Sequence, residues 1–211
     1  MKTIFNGLIK ENAVLVLLLG LCSALAITTK VENAFIMGLC VLLVLVFSNF
    51  VISLIRKIVP ENVKIPVYIL IIGTFVTIIE ILLKKYTPIL YDVLDIYLPL
   101  IIVNCIVLGR AMSVASKSKV GKSLLDAIGI GLGYMVILII IAFIRESLGS
   151  STITLMDGLS PLTGYKAIYH LPETTLFPMK ILVEPAGAFL ILGILVGLFN
   201  TIKEDKKNES H

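Results

Sequence analysis

Two cysteines lie in matching short apolar runs of this sequence and are its first candidates for chemistry. Cys22 lies in LLGLCSALAI and Cys105 in IIVNCIVLGR, whereas Cys40 lies in the middle of a longer apolar stretch. A free cysteine in apolar surroundings is usually a small hydrophobic residue, and we interpret Cys40 in that way. A matched pair of thiols could instead form a disulfide or bind a metal.

The composition predicts a membrane protein with several spans to carry these residues. Of the 211 residues, 58% are hydrophobic, and the mean hydropathy is +1.04. This is more apolar surface than a soluble domain of the same length can bury. A spanning helix needs about 20 mostly apolar residues. Four segments come near that length, 34–55, 65–83, 124–144 and 181–202, and two are shorter, 13–27 and 96–109.

The first short run also fits a secretory signal peptide, because basic residues precede it and the small-residue triplet Ala24-Leu25-Ala26 follows. The internal symmetry described next favours a retained span. With the N-terminus inside, the cytoplasmic segments hold twelve of the 18 basic residues. Both termini are therefore expected in the cytoplasm. The net charge of +4 is explained by anionic lipid headgroups, with no nucleic-acid partner.

The sequence divides near Val93 into two halves whose landmarks follow the same order. Each half opens with a cysteine run and continues into a long span headed by Ala-x-x-x-Gly-Leu, at Ala34 and at Ala127. These second spans end at Arg56 and at Arg145. The third span of each half begins at a proline. Three spans in each half require the two halves to face opposite sides of the membrane.

We therefore predict an all-α integral membrane protein with six spans in a 3+3 inverted-topology repeat. The whole chain, 1–211, forms one polytopic membrane domain, with the repeats at about 1–93 and 94–202 and a cytoplasmic tail at 203–211. The first helix of each half is expected to be short or broken at its cysteine. In inverted-repeat proteins such short or interrupted spans mark the functional site.

Several roles are open to Cys22 and Cys105 on these grounds. A disulfide between two thiols inside the bilayer has little to favour it. Two thiolates are too few for a zinc or iron-sulfur site, which takes four ligands, and neither His170 nor His211 is placed to add one. A second, similar chain could complete a four-thiolate site. A secondary transporter, or a scaffold without metal, is also consistent with the pattern.

Charged residues near the ends of the spans are candidates for an ion pathway. Snorkelling to the membrane surface explains most of them, including Glu80 and Asp126. Glu184, before a proline, and the adjacent pair Arg145 and Glu146 are the better candidates.

Five stretches of the sequence resemble one family of membrane subunits. The stretches are GLCSALAITTKVENA (20–34), SNFVISLIRKIVPENVKIPVYILIIGTFVTIIE (48–80), PLIIVNCIVLGRA (99–111), DAIGIGLGY (126–134) and IRESLG (144–149). The family comprises membrane subunits of the Rnf complex, an ion-translocating ferredoxin:NAD oxidoreductase, with paralogues in the sodium-pumping NADH:quinone oxidoreductase. The resemblance runs from about Asn12 to Phe199, and its most specific motifs are NCIVLGRA and LCxxLAxTT.

The resemblance implies a multi-pass subunit of a translocase in the cell (cytoplasmic or inner) membrane that is not catalytic alone. It implies a [2Fe-2S] cluster within the membrane, shared with the homologous and oppositely oriented A-type subunit of the Rnf complex, with two thiolates from each chain. Carried onto this chain, the metal ligands are Cys22 and Cys105. The other implied partners are the B, C, D and G subunits, membrane lipid, and Na+ or H+. Asn104 and the backbone N-H groups after each cysteine are candidate donors to the sulfurs.

Overall fold

The computed structural model is predominantly helical over the residues that it describes, which are 19–86, 88–149, 152–155, 167–170 and 184–208. The helices in chain order are α1 (Leu21–Ile27), α2 (Val31–Ile55), α3 (Lys64–Tyr86), α4 (Pro88–Leu94), α5 (Cys105–Arg110), α6 (Val120–Gly149) and α7 (Pro185–Asn208). Turns of 3-10 helix occupy Glu61–Val63 and Pro99–Ile101, and a π-helical turn, Ala111–Ala115, follows α5.

A short antiparallel hairpin lies in the connection between α6 and α7. It consists of β1 (Thr152–Leu155) and β2 (Ala167–His170), with Thr152 opposite His170. Sequence periodicity does not indicate these strands, because each has only four residues. His170, which the sequence analysis set aside as a metal ligand, is the last residue of β2 and lies in the connection between α6 and α7.

Three helical segments in the described part of the chain are long and apolar enough to cross a membrane. They are Val31–Ile55, Glu61–Tyr86 and Val120–Ser147, and they correspond to three of the four long spans predicted from the sequence. Helix α2 is apolar on all sides, as expected of a helix with protein on one face and lipid on the other. The chain is therefore a membrane protein.

The other predicted spans coincide with shorter apolar helices or extend beyond the described residues. Residues 13–18 of the first short run, and the N-terminal part of the signal-peptide pattern, lie outside the described residues. The second short run, 96–109, overlaps the apolar helical stretch Pro99–Ala115, and its regular helix begins only at Cys105. The last predicted span overlaps α7, which continues into the predicted tail as far as Asn208.

Helices α2 and α6 form the centre of the bundle, and two glycines allow them to approach closely. A Cβ atom at Gly38 would lie 2.6 Å from Cγ and 3.2 Å from Cα of Met135. A Cβ atom at Gly131 would lie 2.6 Å from Cδ1 of Leu42. Gly38 and Gly131 are the matched glycines of the two sequence halves, and each contacts the residue four positions after the other. Small residues at a crossing let membrane helices pack backbone to backbone.

Helix α3 packs on this centre through one narrow stripe. Only Tyr68, Ile72 and Val76 are buried along it, and these residues recur every fourth position, on one face. Several of its other apolar side chains, among them Leu70, Ile78 and Ile81, are exposed on the outside of the bundle, where lipid or a neighbouring protein can cover them. The main core lies between α1, α2, α5 and α6.

We expect Gly38→Ala to destabilise the protein more than Gly131→Ala does. The added methyl at position 38 meets the Met135 backbone, whereas the one at 131 meets mainly the end of the Leu42 side chain, which can rotate away. Overpacking of this kind costs about 1–3 kcal/mol. The measurement is the thermal denaturation midpoint of the purified complex.

Gly197→Ala is the matched control, because no described atom lies within 4 Å of a Cβ atom at Gly197 on α7. Its midpoint should not fall, since alanine is the better helix former. Equal midpoints for Gly38→Ala and Gly197→Ala would contradict the close crossing.

Candidate functional site

Each cysteine run leads into a short helix that has its cysteine in the first turn. Cys22 is the second residue of α1 and is exposed; Cys105 is the first residue of α5 and is half-buried. Cys40 is buried within α2, at 4% exposure, which agrees with its interpretation as a small hydrophobic residue. Thiolates are favoured near helix N-termini, because unpaired N-H groups point toward them.

A hydrogen bond across the sequence halves joins the two runs. The backbone N-H of Gly20 donates to Cys105 Sγ over 2.8 Å. Gly20 lies two residues before Cys22, so this contact brings the first run against the second thiol. Gly20 has φ 79°, a left-handed backbone conformation that residues other than glycine adopt only at a cost in free energy. A Cβ atom there would also lie 2.9 Å from Ile106 Cγ1.

Ser23 forms the centre of a buried polar network behind the thiols. Its hydroxyl donates to the Gly20 carbonyl over 3.2 Å and accepts from Asn104 Nδ2 over 3.0 Å. Tyr134 Oη lies 2.5 Å from the same oxygen. Because Ser23 has a single hydrogen, and the Gly20 carbonyl receives it, Tyr134 is the donor of this third bond. All three side chains are buried, with at most 1% exposure.

Asn104 links this network to the start of α5. Its side-chain oxygen accepts from the Ile106 N-H over 3.1 Å, and its backbone carbonyl accepts from the Leu108 N-H. This arrangement makes Asn104 the N-cap of α5. Asn104 uses its side-chain N-H on Ser23, so the sulfur of Cys105 receives its hydrogen bond from Gly20, a donor that sequence reasoning missed.

Two arginines donate hydrogen bonds to the segments that contain or follow the C-terminal ends of the cysteine helices. Arg145 on α6 is 1% exposed and donates to the Leu25 carbonyl over 3.1 Å and to Thr28 Oγ1 over 2.6 Å. Arg56, which follows α2, donates to the Ser118 carbonyl beyond the π-helical turn. Each arginine thus bonds to the segment that follows the cysteine of the other sequence half. The positive charge also suits the carbonyl end of a helix.

The end of α6 joins further segments through the residues proposed from the sequence as ion-pathway candidates. The second guanidinium nitrogen of Arg145 donates to the Glu184 carbonyl over 3.2 Å, at the start of α7. Glu146, 2% exposed, accepts from the Val31 N-H over 2.8 Å, at the start of α2. These contacts pair backbone groups at the starts of α2 and α7 that would otherwise lack a hydrogen-bond partner.

The sequence interpretation of Asp126 as a side chain that snorkels to the membrane surface differs from its position in the structure. Asp126 lies 3.4 Å from Arg110, and the two side chains are 13% and 11% exposed respectively. The pair connects α6 to the last residue of α5. Burial is compatible with this carboxylate because its counter-charge lies beside it.

The donor set fits half of a four-thiolate cluster site. The Cys22 thiol is exposed and the Cys105 thiol is half-buried in adjacent runs, and the Cys105 sulfur receives an N-H hydrogen bond, which stabilises negative charge on sulfur. Within the described ranges, no group of three or more His, Cys, Asp or Glu side chains is placed to hold a metal ion. A cluster at this site would therefore need its other ligands from a second chain.

We expect Gly20→Ala to separate the two cysteine runs. The substitution combines an unfavourable φ with a clash on Ile106, at a cost of about 2–4 kcal/mol. The thermal denaturation midpoint of the complex should fall markedly. Gly109→Ala, in the other run, is the control, because its Cβ would meet Leu19 Cδ1 at an ordinary 3.8 Å. Equal midpoints for the two variants would argue against a close contact at Gly20.

We expect Arg145→Gln to destabilise the complex more than Arg56→Gln does. Losing Arg145 leaves buried carbonyls and Thr28 short of a charged donor, at a cost of about 3 kcal/mol. Losing Arg56 should cost about 1 kcal/mol, because the Ser118 carbonyl keeps its bond from Ser53 Oγ. Yield of assembled complex and its thermal midpoint measure the difference. A larger loss for Arg56→Gln would overturn this ranking.

Comparison with known proteins places the chain in a family. A family model described as Rnf-Nqr subunit, membrane protein, matches residues 1–196. The E subunit of the Na(+)-translocating ferredoxin:NAD(+) oxidoreductase complex of Acetobacterium woodii is 43% identical over 200 residues, covering 95% of each chain. The E subunit of the ion-translocating oxidoreductase complex of Pasteurella multocida is 41% identical over 213 residues, covering 98% of this chain and 92% of its own. The chain therefore belongs to the Rnf-Nqr family of membrane subunits.

Proposed function

We propose that this chain is the E-type subunit of an ion-translocating ferredoxin:NAD oxidoreductase complex of the Rnf type. Its relatives carry the name of the E subunit of such complexes. In this role it is not catalytic alone. It holds half of a [2Fe-2S] cluster through Cys22 and Cys105 and shares the cluster with the homologous A-type subunit.

The hydrogen bond from Gly20 to Cys105 carries the proposal. It brings two cysteine runs that are far apart in sequence into contact over 2.8 Å, with Cys22 exposed for a partner to reach. A buried structural cysteine would need neither the exposure nor a donated N-H. An intermolecular four-thiolate site needs sulfurs that a partner can reach, and an N-H donated to sulfur suits a negatively charged ligand.

The 3+3 inverted repeat is supported by two pairs of reciprocal contacts. Gly38 packs on Met135 as Gly131 packs on Leu42, which is the exchange expected of two halves related by a two-fold axis. The matched arginines, Arg56 and Arg145, likewise bond to opposite halves. On this proposal the two cysteine helices enter the membrane from opposite sides and meet near its middle.

The residues of this chain position the two sulfurs and would adjust the reduction potential of a bound cluster. A bound cluster would supply one-electron transfer between the redox groups of neighbouring subunits. The Gly20 N-H donates to the Cys105 sulfur, and such a hydrogen bond would stabilise negative charge there when a cluster is bound. Ser23, Asn104 and Tyr134 fix the distance between the runs, which keeps the sulfurs in place when charge arrives.

Coupling to ion movement follows from electrostatics in a medium of low dielectric constant. Electron arrival adds negative charge near the two sulfurs, and a nearby cation becomes less costly to hold there. We propose that Na+ or H+ uptake responds to that charge. The basic-residue bias supports an orientation with both termini in the cytoplasm, within a complex that also holds the B, C, D and G subunits.

The test is electron paramagnetic resonance (EPR) and iron content of the dithionite-reduced complex, with Cys22→Ser and Cys105→Ser compared to wild type after assembly is verified. We expect both variants to lose the signal of one [2Fe-2S] cluster, because serine is a poor substitute for thiolate at iron. Electron transfer and ion transport should be abolished with it.

Cys40→Ser is the matched control, since Cys40 is buried inside α2 and should leave the spectrum unchanged. An unchanged spectrum in Cys22→Ser or Cys105→Ser would contradict the cluster and return the secondary-transporter interpretation to first place. Continued ion pumping in either variant would contradict the coupling.

A further inference from the structure

A second buried polar region lies where α2 ends and α6 begins, away from the cysteine network. It contains Asn49 on α2, Tyr68 on α3 and Ser123 on α6, each 0% exposed. Among the residues that the structure describes, no atom hydrogen-bonds to either amide atom of Asn49, to the Tyr68 hydroxyl or to the Ser123 hydroxyl. Buried polar groups almost always have a partner, which is often ordered water.

The helix register places Asn49 and Ser123 at the same level. Antiparallel α2 and α6 are fixed by the two glycine contacts near their centres, and at the far end Ser53 Oγ donates to the Ser118 carbonyl over 3.1 Å. Asn49 follows the glycine-contacting residue of α2 by two turns, and Ser123 precedes Gly131 by about two turns. Both positions therefore lie on the stripes along which the helices face each other.

Tyr68 lies between α2 and the π-helical turn, one helical turn along α2 from Asn49. Its ring packs in one apolar cluster with Ile52, one turn beyond Asn49, and with Ala111 and Ala115 of the turn. A π-helical turn widens the helix locally and is frequent at functional sites. This turn directly follows α5, the helix that begins at Cys105.

The charges and hydrogen-bonding groups of the region indicate whether it would bind a cation or water. Asp126, one turn beyond Ser123 in α6, lies 3.4 Å from Arg110, and Arg56 donates to the Ser118 carbonyl at the same end of the two helices. The Asn49, Tyr68 and Ser123 side chains are themselves neutral. The Asn49 amide needs an acceptor for its N-H as well as a donor for its oxygen. A bare cation cannot supply the acceptor, whereas water can supply both.

We propose that Asn49, Tyr68 and Ser123 enclose ordered water, in a site bounded by α2, α3, α6 and the π-helical turn. The site provides a polar position inside the membrane next to the segment that carries Cys105. It does not depend on the cluster, because neither Cys22 nor Cys105 contributes to it.

The experiment compares thiol labelling at two serines on facing helices within the assembled complex. Ser123→Cys places a thiol in the proposed site, and Ser48→Cys places one beside it. Ser48 is equally buried, but its hydroxyl already donates to the Leu45 carbonyl over 3.4 Å. Deuterium from D2O is the label, because water itself can exchange with an enclosed site, and the loss of the introduced thiol's S-H stretching band in the infrared difference spectrum against the parent complex measures it. We expect position 123 to exchange at least roughly tenfold faster, because a dry buried thiol exchanges only through local opening.

Asn49→Leu gives an independent answer that does not rely on an introduced thiol. Replacing an unpaired dry amide by an apolar group of similar size should raise the thermal midpoint. Displacing bound water, and leaving Tyr68 and Ser123 without partners, should lower it. Labelling at 123 no faster than at 48, or a raised midpoint for Asn49→Leu, would overturn the proposal.

Discussion

The hydrogen bond from the Gly20 N-H to the Cys105 sulfur is the contact on which the rest of the site depends. Lipid offers no hydrogen bonds to polar groups, so a thiol and a glycine backbone inside a membrane protein need partners within the protein. Ser23 holds Gly20 in place by donating to its carbonyl, and it also bonds to Asn104 and to Tyr134. One serine hydroxyl thus holds α1, the start of α5 and the middle of α6 together. The hydrogen bonds of Ser23 therefore fix the positions of the two thiols.

The wider fold serves to keep these two short helices in register. Alone, helices of six or seven residues are too short to be stable, so their geometry must come from neighbours. The close crossing of α2 and α6 at Gly38 and Gly131 provides a rigid centre. Arg145 and Arg56 then fix the opposite ends of the cysteine segments. The site is therefore positioned by long helices, although its ligands lie on short ones.

The sequence predicts the helical membrane architecture and the matched cysteines, because both depend on local patterns. Apolar length identifies α2, α3 and α6, and the repeated Ala-x-x-x-Gly motif marks the two glycines that prove to lie at the helix crossing. Repeat symmetry selects Cys22 and Cys105 over Cys40, whose burial in α2 agrees with that choice.

The remaining site residues depend on contacts between distant parts of the chain, which no local pattern encodes. Tyr134 reads as one aromatic residue in a glycine-rich helix, and only the fold brings it 2.5 Å from Ser23. Gly20 reads as an ordinary glycine until its φ and its bond to sulfur are known. Arg145 and Glu146 look like ion-pathway charges in sequence, whereas in the structure they bind the starts and ends of helices.

The most direct test of the central claim is pulsed EPR of the reduced complex labelled with nitrogen-15 glycine. If the Gly20 N-H donates to Cys105 and that sulfur is a cluster ligand, the electron spin should couple to a glycine backbone nitrogen. Comparison with equally labelled Gly20→Ala assigns the coupling to this residue. A glycine coupling present in the wild type and lost in the variant is the predicted result. A cluster signal with the same couplings in both would contradict the account.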